Sequence, residues 1–121
     1  MKNLIAFFEI PAKDFCRAVD FYETVLDVQL PICECEEEKM AYFTEQGEVV
    51  GAVSYAPDFL PSEHGVLIHF HCGELDAALE RVVSKGGKVI IPITKILAEG
   101  KGYFTVFADS EGNHVGLYSG I

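Results

Sequence analysis

Hydrophobic and polar positions along this chain fall into one order of elements, run through twice. Residues 4–10 (Leu-Ile-Ala-Phe-Phe-Glu-Ile) are aliphatic and aromatic, and Pro11 stops them, which predicts a strand. Asp14 stands where a helix N-cap belongs, and Phe15, Ala18, Val19, Tyr22 and Leu26 recur at helical spacing. Three short strands are expected next, near 28–34, 39–45 and 48–55, with Gln46-Gly47 turning the last pair. The second half begins with a strand over 66–72 (Val-Leu-Ile-His-Phe-His-Cys). A helix follows, carrying Leu75, Ala78, Leu79, Val82 and Val83, and Lys85-Gly86-Gly87 closes it with a cation and a glycine cap. Strands near 88–91, 102–108 and 113–118 complete the half, the last two joined by a turn at Ser110-Glu111-Gly112-Asn113.

The repetition holds in register. An offset of 60 places Asp14 on Glu74, Phe15 on Leu75, Ala18 on Ala78 and Val19 on Leu79, so helix cap and apolar stripe superpose together. An offset of 65 places Val50-Gly51 and Ser54 on Val115-Gly116 and Ser119. The elements therefore match while the loops between them differ in length. Each half is a sheet with one helix on one face, and its other face needs cover. Ala56–Gly65, stiffened by Pro57 and Pro61, is the connector.

Several stretches resemble one known family. Phe8-Glu9-Ile10-Pro11 and Asp14 to Tyr22 look like the opening strand and helix of the vicinal oxygen chelate superfamily, the glyoxalase/bleomycin-resistance group. Glu74 to Leu79 resembles the second helix of those proteins. Gly102-Tyr103-Phe104 and Asp109 to Leu117 resemble their closing turn and strand. The resemblance implies an α+β fold of two tandem βαβββ modules forming cupped mixed sheets, paired across a dimer around a small-molecule cavity. Residues 1–121 would form one glyoxalase-like domain, with modules of about 1–56 and 65–121.

Metal-dependent members of that superfamily ligate through the first and last strand of each module. Carried over residue by residue, the first-strand slots hold Phe7 and Leu67. The last-strand slots hold Gly116 and, by the internal repeat, Gly51. None of these offers a side-chain donor. The expectation is a protein without metal or other cofactor. Strand alternation from these slots adds Glu9 to the face of Phe7, His69 and His71 to that of Leu67, and His114 and Tyr118 to that of Gly116. Tyr103, Phe107, Tyr55, Tyr42 and Phe43 are further candidates for the cavity wall. Glu9, His69 and His71 could form a relocated metal site or a general acid–base pair, and histidines at the rim of the cup are the alternative. Lys101, between two glycines, is a candidate for the mouth or a solvated loop lysine.

Composition narrows the functional classes. The net charge of −10 argues against nucleic acid, whose phosphates need clustered Lys and Arg, and favours encounter with cationic guests. Mean hydropathy is +0.22, yet no apolar run approaches a membrane span. The opening residues lead into a strand pattern rather than a signal peptide, which makes a cytoplasmic protein the expectation. Glu34, Glu36, Glu37 and Glu38 read as a solvated hairpin tip. Cys33 and Cys35 put two thiols on one face of a strand, but no second ligand pair follows, so buried free thiols are expected. Three functions stay open: a metal-free homodimer that sequesters or carries a small molecule, a lyase, isomerase or dioxygenase of the glyoxalase type, and a fold-only interaction module. The donor-free slots favour the first.

Overall fold

The computed structural model describes residues 4–97 and 102–120. Its first module runs β1 (Phe8–Pro11), α1 (Phe15–Leu26), β2 (Ile32–Cys35), β3 (Glu38–Glu45) and β4 (Glu48–Tyr55). The second runs β5 (His69–His71), α2 (Leu75–Ser84), β6 (Lys88–Lys95), β7 (Tyr103–Ala108) and β8 (His114–Ser119). Each module forms a four-stranded mixed sheet of the same topology, β1-β4-β3-β2 and β5-β8-β7-β6, in which only the first-listed pair is parallel. The α+β, two-module architecture expected from the sequence is present.

Register explains where the strands stop. β1 pairs with β4 from Phe8↔Gly51 to Pro11↔Ser54. One residue before that ladder, β4 carries a bulge: Phe43 opposes Gly51 and Thr44 opposes Val49, leaving Val50 unmatched. The apolar run 4–7 thus extends beyond its ladder, as 66–68 does in the second module. Pro92 cannot donate a ladder hydrogen bond, and β6, an edge strand, shifts register on both sides of Ile91.

The helices bury one face each into a core common to both modules. Phe15, Ala18, Val19, Phe21, Tyr22 and Val25 of α1 and Leu75, Ala78 and Val82 of α2 meet Ile10, Phe43 and Val53 from one sheet and Phe107, Val115 and Leu117 from the other. Asp14 caps α1 as expected, its Oδ1 accepting from Arg17 N at 3.1 Å. Glu74 occupies the matching position but makes no side-chain cap bond, so the repeat preserves the place and not the contact.

Polar ties also join the modules. The expected turn at 110–113 reaches back to α1: Glu111 Oε1 accepts from Lys13 N (2.9 Å) and Asp14 N (2.7 Å), and Arg17 Nε donates to Glu111 Oε2 at 2.7 Å. Asn113 Nδ2 donates to the Pro11 carbonyl at 2.8 Å, and Asn113 Oδ1 accepts from Ser62 N at 3.0 Å. Tyr22 Oη, fully buried, donates to Asp109 Oδ2 at 2.6 Å.

Candidate functional site

The sheets present two faces, and the candidate residues divide between them. On the face away from the helices, Glu9 lies beside Ala52, and its carboxylate accepts from Ser54 Oγ at 2.8 Å. His69 pairs with Gly116 and His71 with Tyr118, and alternation along β8 puts His114 on the same face. The His69 imidazole lies over Gly116 so closely that a Cβ there would have no room. Its ring centroid is 6.1 Å from that of Phe104 in an edge arrangement, and His71 meets Tyr118 edge-on at 5.6 Å.

Two candidates belong to the other face. Phe107 opposes Val115 and is fully buried in the core against Phe21, with centroids 5.8 Å apart. Tyr103, four residues earlier on the same strand, shares that side, and its ring is partly exposed. The residue of β7 that joins the histidines is Phe104. Lys101 lies outside the described residues.

The internal repeat also needs a one-residue correction. β1 and β5 superpose by the expected offset of 60, since Glu9↔Ala52 corresponds to His69↔Gly116, but β4 and β8 then superpose by 64. The counterpart of Gly116 is Ala52. Gly51 faces the helix side instead, covered by the Phe8 ring. The four corresponding positions, Phe7, Ala52, Leu67 and Gly116, still present no donor. Among the described residues, no three His, Cys, Asp or Glu side chains gather where they could hold a metal, so Glu9, His69 and His71 do not form one ligand set.

A cavity of about 860 Å³ opens between the segment leading into β1 and the free edge of β5. Its wall is the aromatic triad Phe8, Phe43 and Phe70, with centroids 5.0–5.8 Å apart, extended by Leu26, Leu30, Val50 and Ile68. Gln29, Thr44, Glu45, Glu48, His69 and His71 supply polar atoms, while Leu4, Ile5, Val28 and Val49 form an exposed apolar rim. Of the cavity residues expected from the sequence, His69, His71 and Phe43 line it. Of the triad, Phe43 is among the aromatics the sequence offers for the cavity wall, while Phe8 and Phe70 were legible only as apolar residues on strands 1 and 5, since nothing in the alternation distinguishes a core aromatic from a cavity wall.

The electrostatic groups lie elsewhere. Burial pushes the Asp109 carboxyl above its ordinary value, against hydrogen bonds from Tyr22 Oη, Asn113 Nδ2 and two backbone amides. Burial, with Asp109 beside it, drives the Tyr22 phenol well above its own. Burial acts upward on Glu111 too. Arg17, the Asp14 amide and Ser110 overcome it and hold that carboxylate below the usual range. All three groups tie the modules together and none lines the cavity.

Paired βαβββ modules with mixed sheets and helices on one side define the vicinal oxygen chelate class of fold. The model of the Glyoxalase/Bleomycin resistance protein/Dioxygenase superfamily matches residues 4–117, and the chain belongs to that superfamily. Solved structures share the fold at low identity. A glyoxylase/bleomycin resistance protein/dioxygenase domain from Frankia sp. EAN1pec is 16% identical, with a TM-score of 0.74 over 100% of this chain and 94% of that one. An E126Q mutant of the fosfomycin resistance protein FosX from Listeria monocytogenes, complexed with Mn(II) and 1S,2S-dihydroxypropylphosphonic acid, is 17% identical, with a TM-score of 0.71 over 100% and 94%. Glyoxalase I from Zea mays is 17% identical, with a TM-score of 0.73 over 93% of this chain and 44% of that one. Among curated proteins, no sequence matches.

Proposed function

We propose that this protein is a homodimeric small-molecule-binding member of the superfamily, working without a divalent metal at the family's ligand positions. The observation that carries the reading is the cavity. At about 860 Å³ it falls in the range of roughly 300–1,000 Å³ typical of small-molecule sites, and it has the usual apolar wall with few polar groups. Its three phenylalanines suit an aromatic guest, since offset and edge-on ring pairs add to simple burial. The donor-free positions Phe7, Ala52, Leu67 and Gly116 favour sequestration or carriage over metal-dependent lyase, isomerase or dioxygenase chemistry.

The charge on the guest follows from Glu45 and Glu48 at the cavity. A cationic aromatic molecule is expected to bind in preference to neutral or anionic analogues. Cytoplasmic location is part of the reading, because all four cysteines are free thiols.

A thermal-shift screen of matched cationic, neutral and anionic aromatics tests the proposal. Cationic members are expected to raise the melting temperature, Ile68→Trp to remove that shift by filling the cavity, and Glu45→Gln to reduce it. Equal shifts in the Ile68→Trp protein, confirmed folded by circular dichroism, or a preference for anions would overturn it.

A further inference from the structure

The β2–β3 hairpin carries a group of sulfur atoms that the cavity does not use. β2 is the outer edge strand of its sheet, and Cys33 and Cys35 alternate onto the same face of it, both exposed. The ladder places Met40 directly opposite Cys33 and Glu38 opposite Cys35. Opposed residues of an antiparallel pair project to one side with Cβ atoms about 5 Å apart, so the Met40 thioether joins the two thiols. Tyr42, two residues beyond Met40 on β3, alternates onto the same side. Two exposed thiols and a half-buried thioether thus share one side of the hairpin, fixed by a ladder instead of a loop.

We infer that Cys33, Cys35 and Met40 form a binding site for a soft, thiophilic d10 cation, copper(I) being the one the donor set fits. Thiolate and thioether sulfurs select such ions, which accept two or three ligands. Zinc, by contrast, requires four ligands in a structural site, and among the described residues no third His, Cys, Asp or Glu completes the pair. The acidic neighbours Glu34, Glu36, Glu37 and Glu38 add attraction for a cation and discourage anionic thiol reagents. Binding exchanges two thiol protons for one copper(I): both sulfur–hydrogen bonds break, the protons pass to solvent, two copper–thiolate bonds form, the Met40 thioether donates a lone pair, and no electron is transferred. Affinity therefore rises with pH.

Anaerobic titration of the reduced full chain with copper(I), against bicinchoninate as competing chelator, tests the site. One copper(I) per chain is expected to be withheld from the chelator. Cys33→Ser or Cys35→Ser should abolish retention, and Met40→Leu should weaken it by at least about tenfold, the least that even an outer partner of a metal ligand contributes. Cys16→Ser and Cys72→Ser should leave it unchanged, and thermal melts of all variants confirm folding. Retention that survives Cys33→Ser and Cys35→Ser, release of copper from the wild-type chain as readily as from those variants, or equal retention of zinc would overturn the assignment.

Discussion

At the scale of single residues, the most consequential contact is the one between Tyr22 and Asp109, a carboxylate that burial destabilises and four hydrogen bonds sustain. Tyr22→Phe removes the shortest of the four and leaves a buried charge less well satisfied. The expected cost is about 1.5–3 kcal/mol at neutral pH, the range for hydrogen bonds to charged groups. Because the folded-state value of Asp109 is raised, the native chain holds that proton more tightly than the unfolded one, and the group's contribution to stability falls as pH rises through the folded value. The cost of Tyr22→Phe should therefore shrink once pH drops below that value and the carboxyl is neutral. Glu111 has the opposite sign: its stabilisation is present above the unfolded value and is lost as pH falls through the folded one. The difference between variant and wild type in urea melts at neutral and acid pH cancels Glu111 and isolates the tyrosine bond; a pH-independent difference would refute the account. Sequence alternation groups Glu9, His69, His71, His114 and Tyr118 as cavity-face residues; in the structure they share the face away from the helices, and of the five only His69 and His71 line the cavity. It could not place Tyr103 and Phe107, because β7 carries aromatic residues on both of its faces. It mispaired Gly51 because one residue of slip between modules turns a strand position from one face to the other. The two thiols expected to be buried are exposed, since β2 is an edge strand whose burial depends on neighbours that its own sequence does not reveal.

Among elements, both helices were legible from their apolar stripes, while their ends were set by other parts of the molecule. α1 has no basic residue in its last turn, and Arg81 of α2 supplies one, donating from Nη2 to the Val25 carbonyl at 2.9 Å. α2 ends at Ser84 with Gly86 in left-handed backbone, as its Lys-Gly-Gly sequence suggests, and Gly87 N donates to the Val82 carbonyl at 2.9 Å. Gly87 is required for a different reason, close approach. A Cβ there would lie 2.5 Å from the Ala108 carbonyl oxygen and 2.9 Å from the Phe21 ring. Gly87→Ala is accordingly expected to cost about 1–3 kcal/mol through overpacking. Gly65→Ala, where nothing lies within 4 Å, should stay within about 0.5 kcal/mol. Chemical denaturation of the two variants compares them directly, and equal effects would contradict the close approach at Gly87. β6 ran longer than its apolar pattern, because an edge strand interrupted by Pro92 keeps pairing through its bulges.

For the molecule as a whole, the two-module plan was legible from the repeat, and the polar ties between modules were not, because their partners lie about a hundred residues apart. The exposed apolar side chains also call for an account at this scale. Leu4 is 86% exposed and Val66 88%, and Ile5, Phe7 and Leu67 accompany them on the two segments that run past their ladders. The proposed homodimer covers these runs, and light scattering is expected to give a mass near twice 13.3 kDa, reduced to the single-chain value by Leu67→Glu. A monomer at micromolar concentration would exclude this pairing. The grip of Glu111 on the start of α1 has a consequence for ancestry. The modules repeat one topology, as descent from a duplicated half would produce, yet the amides at the head of the first helix are now satisfied by a carboxylate from the second half. The second helix has no side-chain cap bond from Glu74, the counterpart of Asp14, so the two helix starts are no longer alike. A copy of the first half in place of the second would lose the carboxylate that holds Lys13 N, Asp14 N and Arg17.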